Sequence, residues 1–354
     1  MFLQTDQFTV GYNGQALIRD IAIGMKKGEI LTLIGPNGAG KTTIIRSLIQ
    51  QLKPIAGAVW LEGSDIKDYS QEELSRRLSV VLTERIQPEM MTCRDVVATG
   101  RYPYTGRFGI LGDHDNEVVD EAMELVHITS LADRDFLKTS DGQKQRVMLA
   151  RAICQEPDII VLDEPTSFLD IRYKLEFLAI LQRMSRERGL SVIMSLHELD
   201  LAGRISDKIA CVRGDRIDRF GTPEEIFRDG YIRQLYGIEV GSYDEKSGDL
   251  ELERVTGKPE VFVIAGGGSG TETYRRLQRE RIPFATGILW ENDIDYSVAR
   301  ALATEVISVR PFAAITETEM ERARQIIKEC REVICTLDFD QVGEYARKLR
   351  ELLD

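Results

Sequence analysis

The chain has 354 residues, 43% of them hydrophobic and 29% charged, and a formal net charge of −12. That balance supplies core for two domains and excludes a disordered or fibrous chain. The acidic excess argues against nucleic acid as the main partner, because phosphate backbones ask for a basic face.

Met1-Phe2-Leu3 passes at once into polar residues, unlike a secretory leader. No apolar run approaches the ~18 residues that span a bilayer, so any work at a membrane is expected of a peripheral subunit. The cysteines (Cys93, Cys154, Cys211, Cys330, Cys335) are odd in number and lack CxxC spacing, and read as reduced thiols of a cytosolic protein.

Along the chain, Glu29-Ile30-Leu31-Thr32-Leu33-Ile34 reads as a buried strand and Ile44-Ile45-Arg46-Ser47-Leu48-Ile49 has helical spacing. Between them stands Gly35-Pro36-Asn37-Gly38-Ala39-Gly40-Lys41-Thr42-Thr43, a complete phosphate-binding loop in the strand–loop–helix context the motif requires. Its glycines let successive N–H groups turn onto phosphate oxygens, and the helix N-terminus adds partial positive charge. Lys41 is placed to reach the β- and γ-phosphates and the Thr42 hydroxyl to ligate Mg²⁺, so the chain is expected to bind a nucleoside triphosphate.

Next, Thr139-Ser140-Asp141-Gly142-Gln143-Lys144-Gln145-Arg146 opens a helix that runs through Ala152. A second apolar strand, Ile159-Ile160-Val161-Leu162, ends in Asp163-Glu164. Asp163 suits Mg²⁺, and Glu164 suits the orientation and deprotonation of an attacking water. A third, Val192-Ile193-Met194-Ser195-Leu196, is followed by His197. Thr222-Pro223-Glu224-Glu225 is a helix start, with a capping hydroxyl and Pro at the first position.

Taken with Pro165-Thr166-Ser167-Phe168-Leu169-Asp170, these segments resemble the ATP-binding cassette (ABC) family over residues 1 to about 255. The resemblance implies an α/β fold: a P-loop NTPase ABC ATPase domain with a helical subdomain inserted at about 84–138. It implies that Tyr12, in Val10-Gly11-Tyr12, stacks on adenine and that His197 senses the γ-phosphate. Ser140, Gly142 and Gln143 would meet the nucleotide held by the opposite subunit of a homodimer, and Ser167 to Asp170 would couple the two sites. ATP and Mg²⁺ are the implied cofactors. The implied partners are integral-membrane permease subunits and a substrate-binding protein, with the ATPase peripheral on the cytoplasmic face of the membrane. Thr99-Gly100-Arg101-Tyr102-Pro103 resembles the stretch found in ATPases of iron–siderophore, haem and cobalamin importers, where it shapes a groove for a permease helix. Two positions depart from the family pattern. Asp141 replaces a glycine of the signature, and Thr83 ends the strand Ser79-Val80-Val81-Leu82 where a glutamine is usual, with Gln87 displaced nearby.

Residues 241–259 are polar, with a turn expected over 244–249. A smaller α/β, Rossmann-like domain is expected over 256–354: strands Val261–Ala265, Phe284–Leu289, Val306–Val309 and Glu332–Leu337 alternate with helices. Gly266-Gly267-Gly268-Ser269-Gly270 follows its first strand, where such folds bind ligands, although the spacing misses the dinucleotide fingerprint. The turn reads either as a ligand site, facing the acidic loop from Glu291 to Asp295, or as a packing turn. A soluble non-transport cassette ATPase, and a bifunctional protein whose second domain acts on imported cargo, are the alternatives. No histidine follows His197 to serve the latter.

Overall fold

The computed structural model describes residues 1–82, 88–106, 109–340 and 343–353; Thr83 and Gln87 lie outside the described residues. It divides into two compact units, Met1–Tyr236 and Gly237–Asp354.

The first unit opens with antiparallel strands β1 (Leu3–Tyr12), β2 (Gln15–Ile21) and β3 (Gly24–Met25). Strand β4 (Ile30–Ile34) starts a second sheet and leads to helix α1 (Lys41–Leu48). Strands β5 (Ala56–Leu61) and β6 (Ser64–Asp65) return to the first sheet. Helix α2 (Gln71–Arg77) and strand β7 (Leu78–Val81) precede three helices, α3 (Cys93–Ala98), α4 (Asp113–Leu125) and α5 (Asp141–Cys154). Then come β8 (Ile159–Asp163), α6 (Ile171–Arg188), β9 (Ser191–Ser195), α7 (Leu199–Ile205), β10 (Lys208–Arg213), β11 (Arg216–Gly221), α8 (Pro223–Ile226) and α9 (Tyr231–Tyr236).

The second sheet runs β11-β10-β4-β9-β8-β7, parallel except for β11. Every residue of β4, β8 and β9 is buried, which is why these strands are continuous apolar runs rather than alternating ones. Helix α1 begins at Lys41, three residues earlier than its apolar spacing starts, because the loop passes straight into it through Gly40 at φ 99°. Its Ile44, Ile45 and Leu48 share one core with Phe8 and Val10 of β1 and with Leu31, Leu33, Val161 and Ile193 of the parallel sheet. The helix that carries the phosphate loop is thereby held between two sheets.

In the second unit, β12 (Ser242–Tyr243) and β13 (Leu250–Glu251) form a hairpin around the expected turn. Strand β14 (Val261–Ile264), α10 (Thr271–Arg279), β15 (Phe284–Trp290), α11 (Ile294–Leu302), β16 (Glu305–Val309), α12 (Glu317–Glu329) and β17 (Glu332–Cys335) follow. The four strands pair in parallel in the order β16-β15-β14-β17. Alternate residues of β14 feed two cores: Val261 and Val263 join Tyr274 and Leu277 of α10, whereas Phe262 and Ile264 join Met320 and Ala323 of α12. The units part after residue 236 rather than 255. The hairpin belongs to the second unit because Arg275 Nε of α10 donates to Glu251 Oε1 at 3.0 Å and Gln278 Nε2 to the Glu253 carbonyl at 3.2 Å.

Candidate functional site

A cleft of about 310 Å³ opens where β4, β8 and β9 end. Residues 37–43, Leu17, Glu164 and His197 line it. The loop takes its shape from glycines that no side chain could replace cheaply. Gly35 lies at φ 147° with the Val212 carbonyl 2.3 Å from where a Cβ would stand, and Gly38 and Gly40 have φ 76° and 99°. Lys41 is only 5% exposed, and its Nζ donates to the carbonyls of Gly35 at 2.7 Å and Pro36 at 3.1 Å. Burial lowers its pKa from the ordinary lysine value, while the carboxylates of Glu164 and Asp163 pull it the other way. Tyr12 stands half-exposed beside the loop, its hydroxyl 3.2 Å from Thr43 Oγ1.

The facing wall is built by strand register. Asp163 on β8 pairs with Ser195 on β9, and Ser195 Oγ donates to Asp163 Oδ1 at 2.7 Å. Ser195 Oγ in turn accepts from the Glu164 N–H at 2.9 Å. Glu164 sits at φ 50°, a left-handed conformation that costs a non-glycine residue roughly 1–3 kcal/mol and is held here by that bond. The turn aims its carboxylate at His197, with Nε2 and Oε1 2.5 Å apart. Ser195 and Glu198 are the residues that sequence reasoning missed. Glu198 accepts from Thr166 Oγ1 at 2.9 Å and pairs with Lys174 Nζ at 2.5 Å, tying the turn after β8 to α6. A small hydroxyl residue ending a strand beside an acidic one was the only local signal for Ser195. Tyr236 was missed too: half-buried, it accepts from the Gly35 N–H at 3.1 Å through its hydroxyl.

Ser140, Gly142, Gln143 and Asp170 are not among the residues lining this cleft. Ser140 caps α5, exchanging bonds with Gln143 (N–H to Oγ 3.3 Å; Ser140 N–H to Oε1 3.0 Å). Asp141 occupies the first, exposed turn of α5. Asp170 caps α6 through the Tyr173 N–H at 3.0 Å, and Leu169 lies against Gly142. Within the 99–103 stretch, Gly100 and Arg101 pack inward. A Cβ on Gly100 would stand 2.3 Å from the Arg151 carbonyl. Arg101, 2% exposed, bonds Asp115 Oδ1 at 2.9 Å, Glu156 Oε2 at 2.7 Å and the Cys154 carbonyl at 2.8 Å, joining α4 to the end of α5.

In the second unit the glycine turn does lie beside the acidic loop, but its amides are taken. Asp295, fully buried, accepts from the N–H groups of Gly268 (3.0 Å), Gly270 (2.9 Å) and Thr271 (2.8 Å) and from Thr271 Oγ1 (2.8 Å). Asp293 accepts from the Gly267 N–H at 2.8 Å. Gly266 and Ser269 are bonded to one another, and Ser269 Oγ lies 2.8 Å from Thr336 Oγ1. Of the two readings of residues 266–270, these bonds favour the packing turn: the protein's own carboxylates fill the cradle.

Residues 18–167 match the family described as ABC transporter, and residues 284–354 match the MJ0874 family. The chain is 39% identical over 288 residues to an uncharacterized ABC transporter ATP-binding protein of Methanocaldococcus jannaschii, covering 81% of this chain and 99% of that one. It is 32% identical over 325 residues to a cobalamin import ATP-binding protein of Halobacterium salinarum, covering 90% of this chain and 81% of the relative. With the ferric enterobactin transport ATP-binding protein of Escherichia coli the identity is 34%, over 69% and 90% of the two chains. In fold, it is similar to a putative metal-chelate type ABC transporter solved in an inward-facing conformation (TM-score 0.60, 24% identity, 70% and 95% covered). With kinship this close along nearly whole chains, the protein belongs to the ABC transporter family as an ATP-binding, ATP-hydrolysing subunit.

Proposed function

We propose that two copies of this chain sandwich two ATP molecules and power uptake of a metal chelate through separate permease subunits, with a substrate-binding protein delivering the cargo. The observation that carries the hydrolytic part is the meeting of Lys41, Glu164 and His197 on one cleft. Glu164 acts as general base, taking a proton from water as it attacks the γ-phosphate. His197 holds that carboxylate through the 2.5 Å contact. The phosphates are held by Lys41, Thr42, Thr43 and the N–H groups of residues 37–40, on a loop shaped by Gly35 and Pro36, and Tyr12 stacks on adenine. Ser140, Gly142 and Gln143, lying away from the cleft of their own copy, serve the nucleotide of the other, and Asp170 places the intervening loop.

Mg²⁺ fits the donor set, since the Thr42 hydroxyl and the nearly buried Asp163 carboxylate are hard oxygen ligands beside the phosphate loop. When bound, it neutralises charge developing on the phosphates.

No helix among the described residues is long and apolar enough to cross a membrane. Among metal chelates, cobalamin is the first candidate cargo. The relative named for cobalamin import is matched over 90% of this chain, and so into the second unit, whereas those named for iron(3+)-hydroxamate and ferric enterobactin are matched over 67% and 69%. The test is reconstitution with the permease in vesicles, comparing ATP-dependent uptake of cobalamin, haem and ferric siderophores. Uptake of cobalamin that vanishes in Glu164→Gln supports the reading; ATP hydrolysis without uptake of any of the three overturns the import part.

A further inference from the structure

We infer that the second unit binds an uncharged or cationic planar heteroaromatic molecule, and not a nucleotide, in a cavity outside the carboxyl ends of β14–β16. The cavity measures about 560 Å³, within the range of small-molecule sites, which run from roughly 300 to 1,000 Å³. Trp290, Ile294, Phe312 and Ala313 form its apolar walls, and Asn292 and Asp293 its polar part, with Gly267 at the edge.

Three features select the ligand. First, anions are refused. The amides that would receive a phosphate are taken: those of Gly267, Gly268, Gly270 and Thr271 serve Asp293 and Asp295, and that of Ser269 serves the Gly266 carbonyl. A phosphate would have to expel a fully buried carboxylate and then face the charge of Asp293. Second, the walls are apolar surface that folding leaves in water: Phe312 is 89% exposed and Ile294 75%. Phe312 also lies at φ 60°, a strained conformation for a bulky residue and one that clusters at ligand clamps. Third, the walls are tied together in advance. Trp290 Nε1 donates to the Ala313 carbonyl at 2.8 Å, and the Ala313 N–H donates to the Arg310 carbonyl at 3.0 Å, fixing the turn that presents Phe312. Aromatic walls with one carboxylate and one amide suit a flat ring bearing a donor or a positive charge.

The experiment uses the full chain with Trp60→Phe, which leaves Trp290 as the single tryptophan. Benzimidazole, the 1,3-dimethylbenzimidazolium cation and NAD⁺ are titrated while Trp290 emission is followed. Saturable change with either of the first two, and none with NAD⁺, is expected. Phe312→Asn in the same background removes the ring and places a residue that tolerates this backbone, so the fold is kept. It should weaken binding about three- to tenfold, the worth of one aromatic contact. Emission that ignores both benzimidazole probes, an equal response in Phe312→Asn, or saturation by NAD⁺ would each overturn the assignment. ATP hydrolysis, measured on the same samples, reports separately on the first unit.

Discussion

Glu164 is the residue whose chemistry has no substitute in the cleft. Replacing it with Gln keeps size and the turn but removes the base, so turnover should fall roughly 10²–10⁴-fold while ATP binding persists. ATPase assays beside nucleotide titration decide this, and near-normal turnover would dismiss Glu164 as the base. Tyr236 supports the loop from 201 residues away along the chain. In Tyr236→Phe the buried Gly35 N–H loses its acceptor, a loss worth about 1–3 kcal/mol. If the loop transmits that loss to the phosphates, the Kd for ATP should rise several-fold with kcat little changed. An unaltered Kd would make the hydroxyl a bystander.

At the scale of elements, the helical subdomain is fastened by one buried guanidinium. Arg101 joins α4 to the last turn of α5, and its guanidinium stacks over the Tyr104 ring at 4.1 Å. Arg101→Ala should destabilise the first unit by about 2–4 kcal/mol, because Asp115 and the Cys154 carbonyl lose their partner. Urea unfolding measures it; a loss under half a kcal/mol, the usual size of a surface substitution, would show the pair to be replaceable by solvent. In the second unit Asp295 plays the corresponding part for α10. With four donors converging on it, Asp295→Ala should lower the melting temperature of that unit and leave ATP hydrolysis unchanged.

For the whole molecule, the position of the division between units sets where the chain can be cut. The residues proposed for ATP binding and hydrolysis, from Tyr12 to His197, and Tyr236 beside Gly35 lie within Met1–Tyr236. A chain ending at Gly237 should therefore hydrolyse ATP, while one ending before α9 should bind it more weakly for want of Tyr236. A cut at about 256 would strand the β12–β13 hairpin from α10, so it should give a less soluble product than the cut at 237. Equal ATP affinity of the two shorter chains would remove Tyr236 from the loop's support.

The sequence by itself determined whatever is contiguous. The phosphate loop occupies nine successive residues, the buried strands are unbroken apolar runs, and the strands of the second unit alternate with helices as their local patterns predict. What depends on partners distant in the chain was decided by the tertiary structure alone. The register of β8 against β9 puts Ser195 on Asp163, and Tyr236 meets Gly35 only after the sheet has closed around α1. Gly266 to Gly270 is the sharpest case. Its glycines announced backbone amides free to hold an anion, but which anion arrives depends on where Asp293 and Asp295 fall once β15 pairs beside β14. Folding supplies that anion from within, because a carboxylate held in the same chain reaches the amides at an effective concentration no dissolved phosphate matches.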